Sequence, residues 1–398
     1  MSKKVKIVVL SPYEDLSSCE HRPVQEAEYF SKKGCNVEIL VMQRKAKGKG
    51  IIENQIQGIS AKHFLCKTDK MEKLLNDNFF FRKMKPIIYF KWFLQFIRFL
   101  SQECKNEKNT FLVAHNLEMA VASCIANRKR ENHVVFVMRE LYEGQVTNRI
   151  KSRIIRTVSR WAQNRSDFLV HVGPVQISVT QKKNKHKILY IPNYPVAENY
   201  KNIEFTDSKE LRVNYIGSVR DKKSLTMLMD AAKDIAGLKI GIHGMGEAYP
   251  ALKELESQYE NVEITGYYDY KKDTRRLFAN TDIVYCAYNI EILNWKKAYP
   301  IKFYESMEAG LPVMICKGMA PEDLVKENGC GFVFEYNVAS LHNLLLYLVN
   351  NREEVEKKKL NIKKLKGKYT WENVVHRYDA LFDFEERGYC GRNIKKRT

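Results

Sequence analysis

Long apolar runs are missing from this chain. No stretch of about eighteen residues is both apolar and free of charge, which is what a membrane-spanning helix needs. The first apolar stretch, Ile7–Leu10, is also too short for the hydrophobic region of a signal peptide. We therefore expect a cytoplasmic protein without a transmembrane segment.

The cysteines lack the paired spacings that zinc sites and disulfide frameworks need. All nine are scattered along the chain, and no C-x-x-C occurs. We therefore expect reduced thiols, several of them in strands or cores, as in other cytoplasmic proteins.

Acidic residues are fewer than basic ones. The sequence holds 67 Lys and Arg against 47 Asp and Glu, a formal net charge of +20. Such an excess suits nucleic acid, an anionic membrane surface or a phosphorylated substrate, and a solvated basic surface without a partner also explains it. The spacing of a zinc finger or an RRM is absent, so we expect no nucleic-acid partner.

Short β-branched runs alternate with helical patterns along the chain. Val5–Leu10 and Val37–Met42 are predicted strands on either side of a helix, Val24–Lys33, which Gly34 ends. This order is typical of a parallel α/β sheet. Further strands are predicted at Thr110–Ala114, His133–Met138, Phe168–Val172 and Ile188–Ile191.

A polar stretch at residues 198–210 predicts a linker, after which the same alternation resumes. The strands predicted beyond it are Leu211–Ile216, Lys239–His243, Val262–Thr265, Ile283–Ala287, Val313–Cys316 and Gly331–Phe334, with a helix at Leu225–Ala236. The sequence therefore predicts an α/β protein of two Rossmann-like, doubly wound parallel-sheet domains that face a cleft. Ligands of such sheets bind outside the carboxyl ends of the strands.

The segment Tyr299–Ile315 carries the most chemical information. Pro300 suits a helix start and Gly310 a helix end, so a helix of about two to three turns is predicted between them. The first turn of such a helix offers unpaired N–H groups to a phosphate, and Lys302 adds a positive charge. Glu305, one turn on, is suited to accept two hydrogen bonds from a ribose diol. An ordinary αβ unit with a Gly-x-Pro ending is the alternative.

This segment resembles the stretch K-x-x-E-x-M-x-x-G-x-P-V of glycosyltransferase family 4, a large family of retaining GT-B enzymes. The matching residues are Lys302, Glu305, Met307, Gly310, Pro312 and Val313. The resemblance implies that Glu305 binds the nucleotide ribose as the second glutamate of an E-x7-E motif. Lys297 stands where the first glutamate of that motif is expected, and its position places it among the donor-binding residues.

The segment Tyr215–Ser224 is similar to the family's G-R-x-x-x-x-K-G loop, which grips the donor diphosphate. The resemblance implies that Gly217, Ser218 and Lys223 belong to the donor site. Ser218 stands in place of the usual arginine, and Arg220 is its expected substitute. Fixed cations at this point stabilise the negative charge that a leaving nucleoside diphosphate gains. A basic surface turn is the alternative.

A second loop, Ile242–Glu247, is similar to the family's G-x-G-x loop and adds Gly244 and Met245 to the expected donor site. The segment Trp371–Tyr378 matches the family's W-E-x-x-x-x-x-Y helix. The resemblance, which covers residues 211–384, implies a GT-B fold whose C-terminal helix crosses back to the first domain. The expected acceptor-binding domain is then 1–200, completed by the helix within 376–398, and the nucleotide-sugar domain is 207–375.

The first half matches the family more loosely. The segment Val134–Tyr142 is similar to its V-V-Y-D-x-H-E-L-Y stretch, and Arg139 stands where a histidine near the donor sugar is expected. Arg139 is no base, because a guanidinium keeps its proton. It either holds a phosphate or sugar hydroxyl or pairs with a carboxylate. The loop Ser11–Arg22 is expected where acceptor and donor meet, and His115 either lines that region or simply closes a strand.

The implied function is the transfer, with retention, of a sugar from a UDP- or GDP-type donor to a glycan or lipid-linked acceptor, in cell-surface polysaccharide or glycoconjugate synthesis. No nucleophile with a neighbouring base and no D-x-D motif is apparent, so we expect neither a cofactor nor an obligatory metal. Three alternatives stay open. They are another GT-B enzyme such as a sugar-nucleotide epimerase, a degenerate transferase, since Lys297 and Arg139 depart from the pattern, and a basic binder of membrane or nucleic acid.

Two segments have the pattern of membrane-surface helices. Apolar residues recur at helical spacing from Ile150 to Trp161, between five basic residues, Arg149, Lys151, Arg153, Arg156 and Arg160. Lys85–Leu100 is rich in aromatic residues. Both apolar faces either pack on the first sheet or dock on anionic lipid, which would place the protein peripherally on the inner face of the cell membrane.

Overall fold

The computed structural model describes residues 3–11, 21–48, 50–67, 79–146 and 148–386. The chain divides into two compact units, Met1–Pro192 with Val375–Thr398 and Asn193–Val374. No helix in these described ranges combines the length and apolarity that crossing a bilayer requires.

The first unit contains an eight-stranded sheet. Its strands are β1 Lys4–Ser11, β2 Asn36–Lys47, β3 Gly50–Ile56, β4 Ile59–Lys67, β5 Phe111–His115, β6 His133–Met138, β7 Phe168–His171 and β8 Ile188–Tyr190. They lie in the order β3-β4-β2-β1-β5-β6-β7-β8, and every neighbouring pair is parallel except β3 with β4. The predicted doubly wound parallel sheet is confirmed.

The sequence analysis missed the hairpin of β3 and β4. Its turn residues, Gln57 and Gly58, both have positive φ, at 53° and 80°, as the twist of a two-residue hairpin requires. Six of the seven β3 residues are exposed, so this edge strand has no apolar alternation by which it could be recognised.

The helices of the first unit are α1 His21–Lys32, α2 Phe79–Glu103, α3 Asn116–Ala126, α4 Arg149–Arg165, α5 Pro174–Val179 and, near the end of the described chain, α15 Ala380–Glu386; 3-10 turns lie at Tyr142–Gln145, Lys182–Lys187 and His376–Asp379. One core cluster joins side chains of α2, α3 and α4 to the sheet, among them Phe96, Met119 and Ala162. The three helices therefore cover the same face of the sheet.

A buried polar network holds the returning C-terminal segment in the first unit. Glu26 is fully buried and accepts hydrogen bonds from Arg22 and, at 2.6 Å, from the Tyr378 hydroxyl. The ring Nε2 of His115, at the end of β5, lies 2.9 Å from the same carboxylate. Burial alone would raise the pKa of Glu26, but His115 and Arg22 hold that pKa at about 2. His115 thus closes its strand inside the core. Most of the predicted acceptor loop Ser11–Arg22, namely residues 12–20, lies outside the described residues.

The second unit contains a six-stranded parallel sheet. Its strands are β9 Leu211–Ile216, β10 Leu238–His243, β11 Val262–Gly266, β12 Ile283–Tyr285, β13 Val313–Cys316 and β14 Gly331–Phe334. The order β11-β10-β9-β12-β13-β14 corresponds to 3-2-1-4-5-6, the order of a Rossmann fold. The order reverses between β9 and β12, so the carboxyl ends of these two strands are the expected ligand position.

The helices of the second unit are α6 Lys222–Ala232, α7 Tyr249–Leu255, α8 Tyr270–Ala279, α9 Leu293–Lys296, α10 Ile301–Ala309, α11 Glu322–Asn328, α12 Val338–Asn350, α13 Arg352–Lys363 and α14 Glu372–Val375, with 3-10 turns at Ala197–Tyr200 and Glu256–Gln258. Part of the polar stretch predicted as a linker, residues 198–210, belongs to the hydrophobic core. Its Tyr200 is fully buried and packs edge-on against Phe278, with ring centroids 5.2 Å apart. Residues 193–200 therefore belong to the second unit.

Candidate functional site

Two loops meet at the carboxyl ends of β9 and β10. The Gly217 N–H donates to the His243 carbonyl at 2.9 Å, and the Val219 N–H donates to the Met245 carbonyl at 3.0 Å. The Ala248 N–H returns a hydrogen bond to the Val219 carbonyl at 3.0 Å. These bonds fix the loops that the sequence analysis assigned to a donor diphosphate.

Glycine is required where these loops touch. Gly217 and Gly244 both have φ of +137°, a region that other residues rarely occupy. A Cβ on Gly244 would lie 1.9 Å from the Gly217 carbonyl oxygen, which leaves no room for a side chain. A Cβ on Gly217 would lie 3.3 Å from the Lys302 Nζ. The loops therefore close tightly against each other and against a lysine amine.

That amine is buried without a hydrogen-bond partner. Lys302 is 5% exposed, and its Nζ lies 3.2 Å from the centroid of the Tyr215 ring, a cation–π contact. Among the described residues neither the Lys302 Nζ nor the neighbouring Ser218 hydroxyl has a hydrogen-bond partner. Burial lowers the pKa of Lys302 from 10.5 to about 7. The Lys302 amine lies against Gly217, the residue before Ser218, and an anion at this loop would satisfy buried donors that lack a partner among the described residues.

Asp221 connects the loop after β9 to the segment after β12, across the switch point, where the strand order reverses. Its carboxylate accepts hydrogen bonds from the Ser224 N–H at 3.1 Å, capping α6, and from the Asn289 N–H at 2.6 Å, beyond β12. Arg220, just before it, is exposed and near enough to lower the pKa of Lys302 further. Arg220 and Lys302 therefore act on the same region of the site.

Lys223 lies in the first turn of α6 with its side chain 56% exposed. Its Nζ is 2.6 Å from a Glu291 carboxylate oxygen and 5.9 Å from the centroid of the Tyr336 ring. These contacts place Lys223 at the surface, where an exposed ion pair contributes little to stability.

Glu305 lies inside the second unit. The helix that carries it, α10, follows Pro300 and ends at Gly310, whose φ is +86°, as predicted for a glycine-ended helix. The Tyr270 hydroxyl donates to Glu305 Oε1 at 2.8 Å, and the Tyr200 and Tyr270 hydroxyls are 3.0 Å apart. Burial raises the pKa of Glu305, while both tyrosines and Lys302 oppose that rise.

Lys297, Met245 and Arg139 complete the set of predicted residues. Lys297 follows α9 with an exposed side chain, and Met245 is 46% exposed. Arg139 belongs to the first unit, directly after β6, where it contacts Tyr142 electrostatically. Within the described part of the chain, no group of three or more His, Cys, Asp or Glu side chains could hold a metal ion.

Sequence reasoning missed the tyrosines of the site. The ring of Tyr215 packs against the Lys302 amine. The Tyr270 hydroxyl hydrogen-bonds to Glu305, and the Tyr200 hydroxyl hydrogen-bonds to that of Tyr270. Tyr215 is the second-last residue of the predicted strand Leu211–Ile216, and this was the available signal, because ligands bind near the carboxyl ends of such strands. Tyr200 and Tyr270 come from distant segments, and no motif marks them.

Residues 196–365 match the family model described as glycosyl transferases group 1. The likeness to this family lies within a single domain of the second unit. This domain contains the loops at Gly217 and Gly244, the buried Lys302 and Glu305. The family match covers less than half of the chain and leaves the first unit unmatched.

Solved structures extend the likeness to nearly the whole chain. Sucrose-phosphate synthase from Thermosynechococcus elongatus is similar with a TM-score of 0.70 and 12% identity, covering 97% of this chain and 100% of that one. HepE of Anabaena, solved in complex with UDP, gives a TM-score of 0.66 at 12% identity over 96% and 99% of the two chains. No curated protein sequence matches the chain. The fold of this chain is thus GT-B, as predicted.

Proposed function

We propose that this chain is a retaining glycosyltransferase that moves a sugar from a nucleotide-activated donor to a glycan or lipid-linked acceptor. The observation that carries the proposal is the Lys302 amine, buried beside Gly217 at the switch point of a Rossmann-type sheet and without a hydrogen-bond partner in the described structure. Diphosphate oxygens would accept its hydrogen bonds and restore its charge.

The roles of the other residues follow from their positions. The Ser218 hydroxyl is a second donor to the diphosphate, and Arg220 and Lys223 add charge at its outer side. We assign the ribose to Glu305, whose orientation Tyr270 fixes. Gly244 lets its loop close against the Gly217 loop that we assign to the diphosphate, and Met245 lies at the rim.

Two further residues keep the roles that the family resemblance suggests. Lys297 is assigned to the donor site by its place in the E-x7-E pattern, and Arg139 to a phosphate or sugar hydroxyl of the reacting substrates. Because a guanidinium stays protonated, Arg139 stabilises charge and moves no proton.

In the proposed reaction, the bond from the sugar's anomeric carbon to the donor phosphate breaks while the acceptor oxygen bonds to the same face of that carbon. The acceptor's proton passes to the departing phosphate oxygen, so no protein nucleophile, cofactor or obligatory metal is needed. Fixed cations beside the diphosphate stabilise the charge that develops on it. UDP is the first nucleotide to test, because HepE of Anabaena, which shares the fold, has been solved with UDP-glucose. GDP is the second, and the expected setting is the cytoplasmic side of cell-surface polysaccharide synthesis.

Isothermal titration with UDP, GDP, ADP and their sugars tests the donor site. We expect Glu305→Gln to weaken binding of the preferred nucleotide about 10- to 100-fold. This range is the change in affinity that corresponds to losing a hydrogen bond to a charged group. Glu308→Gln is the matched control. Glu308 lies on the same helix, but its carboxylate accepts the Gly367 N–H at 2.8 Å, so nucleotide affinity should stay unchanged.

Product release separates the proposal from its alternatives. Nucleoside diphosphate that appears only with an acceptor supports transfer, while release without one indicates an epimerase or hydrolase. Binding with no turnover across a panel of acceptors would indicate a degenerate transferase. If no nucleotide binds, the proposal fails altogether.

A further inference from the structure

Helix α4, Arg149–Arg165, exposes an apolar stripe. Ile150, Ile154, Val158 and Trp161 recur every three or four residues and are 71%, 58%, 36% and 40% exposed. The opposite face of the helix packs inward through Ser159, Ala162 and Gln163. The helix thus presents four large apolar side chains to the outside, whereas a fifth, Ile155, packs partly against the core.

The stripe is bordered by positive charge. α4 contains six basic residues and no acidic one. In the described structure only Arg156 forms an ion pair, with Glu143 at 3.7 Å. At helical spacing Arg149, Arg153 and Arg160 follow one side of the stripe and Lys151 the other. The charges therefore surround the apolar residues without being neutralised.

Two neighbouring helices continue this surface. α2 exposes Ile87, Phe90 and Leu94, at 65%, 59% and 44%, with the exposed cations Lys91 and Arg98 on the same side. Its opposite side, including Trp92 and Phe96, is buried in the core. α3 contacts both α2 and α4 and exposes Ile125, at 43%. Three helices of the first unit, of which α3 contacts the other two, thus each expose apolar side chains.

We propose that this surface, the docking face (Ile87, Phe90, Leu94, Ile125, Ile150, Ile154, Val158 and Trp161), binds an anionic lipid membrane. Apolar side chains on a basic helix enter the boundary between lipid headgroups and acyl chains, while the flanking cations bind lipid phosphates. A second copy of the chain is a poor occupant, because it would set the cations of two α4 helices against each other. The inference is independent of the proposed sugar transfer.

Vesicle co-sedimentation of the full-length protein tests this inference. We expect binding to vesicles of equal parts phosphatidylcholine and phosphatidylglycerol, and none to phosphatidylcholine alone. Binding should weaken from about 0.1 M to about 1 M salt, as the Debye length falls from about 10 Å to about 3 Å. Transfer of Trp161 from water to lipid should shift its fluorescence to the blue, and Trp161→Phe should remove that shift.

Two variants locate the surface. Each cation near an anionic leaflet contributes roughly fivefold to binding, so Arg153→Glu/Arg160→Glu should weaken it at least about 30-fold. Ile150→Ser/Ile154→Ser should also weaken binding to anionic vesicles. The residual binding of this variant should depend more steeply on salt than that of the wild type, because electrostatic attraction then supplies more of it. The control, Lys363→Glu/Lys364→Glu, makes the same change in net charge on exposed residues of the second unit and should bind like the wild type.

Three results would overturn the inference. The first is a wild-type protein that does not bind anionic vesicles at about 0.1 M salt. The second is equal loss in the control and the arginine variant, which would mean that net charge alone is responsible. The third is a wild-type dimer that Ile150→Ser/Ile154→Ser converts to a monomer with vesicle binding intact. Circular dichroism and urea unfolding verify that each variant is folded.

Discussion

Replacing Lys302 with methionine is expected to stabilise the protein while weakening donor binding. Methionine keeps an unbranched apolar side chain over the Tyr215 ring but removes the amine, which has no hydrogen-bond partner among the residues that the structure describes. Burying the charged form of this amine destabilises the folded wild-type protein. Removing the amine should relieve this destabilisation and at the same time remove the cation that we propose binds the diphosphate.

The size of the effect follows from the pKa of Lys302, which burial lowers from 10.5 to about 7. A tenfold change in an acid's ionisation constant corresponds to about 1.4 kcal/mol, so lowering the pKa this far costs about 5 kcal/mol in all. The folded pKa lies below the unfolded one, and the unfolded chain therefore binds more protons between pH 7 and 10.5. The cost is fully present below pH 7 and fades as the pH rises towards 10.5.

Urea unfolding of Lys302→Met and wild type at several pH values measures this difference. The stability gain of the variant should approach about 5 kcal/mol near pH 6.5 and fall to about 3 kcal/mol at pH 8.5. Lys297→Met, the same substitution at an exposed position five residues earlier, should change neither the stability nor its pH dependence. A Lys302→Met variant whose unfolding free energy parallels that of the wild type at every pH would refute the reasoning.

Three other outcomes are expected. Donor binding at pH 8 should take up a proton at Lys302, so the calorimetric enthalpy should vary with the ionisation heat of the buffer; no variation would contradict the assignment. Gly244→Ala should destabilise the protein far more than Gly310→Ala, because a Cβ at position 244 would lie 1.9 Å from the Gly217 carbonyl oxygen. A Cβ at position 310 has open space around it, so Gly310→Ala should lower the free energy of unfolding by only about 1–2 kcal/mol, the cost of the left-handed backbone. Thermal melts compare the two variants. The pKa of Glu26 is about 2 in the folded chain and 4.5 as a free side chain, so about 3 kcal/mol of stability should disappear between pH 4.5 and 2, and Glu26→Gln should lack this acid-dependent loss in urea melts.

Much of the fold could be predicted because buried parallel strands are continuous apolar runs. The boundaries of His133–Met138, Leu211–Ile216, Val313–Cys316 and Gly331–Phe334 agree residue for residue with the structure. The β3–β4 hairpin could not be found this way, since an exposed edge strand is selected by its turn and its neighbour rather than by hydrophobic pattern. The stripe from Ile150 to Trp161 had the right period for a helix, but periodicity cannot tell a packed face from an exposed one.

Within the candidate site, local motifs predicted backbone features better than side-chain partners. The glycine loops and the short helix between Pro300 and Gly310 follow from residues whose backbone preferences are strong. The hydrogen bond from Tyr270 to Glu305 depends on a tertiary contact between segments 35 residues apart in sequence. The roles of Lys297 and Arg139 stay predictions from the family resemblance.

The first unit is discontinuous in sequence, and this affects how it is made. Its last part, from Val375 onward, leaves the ribosome only after the whole of Asn193–Val374. At about 5–20 residues per second, that delay is roughly 10 to 40 seconds. During this interval Glu26 and Arg22 lack the Tyr378 hydroxyl that binds both of them in the finished protein. The nascent first unit therefore cannot reach its native state until Tyr378 has been synthesised, whereas the second unit, which is continuous, can mature as soon as it emerges.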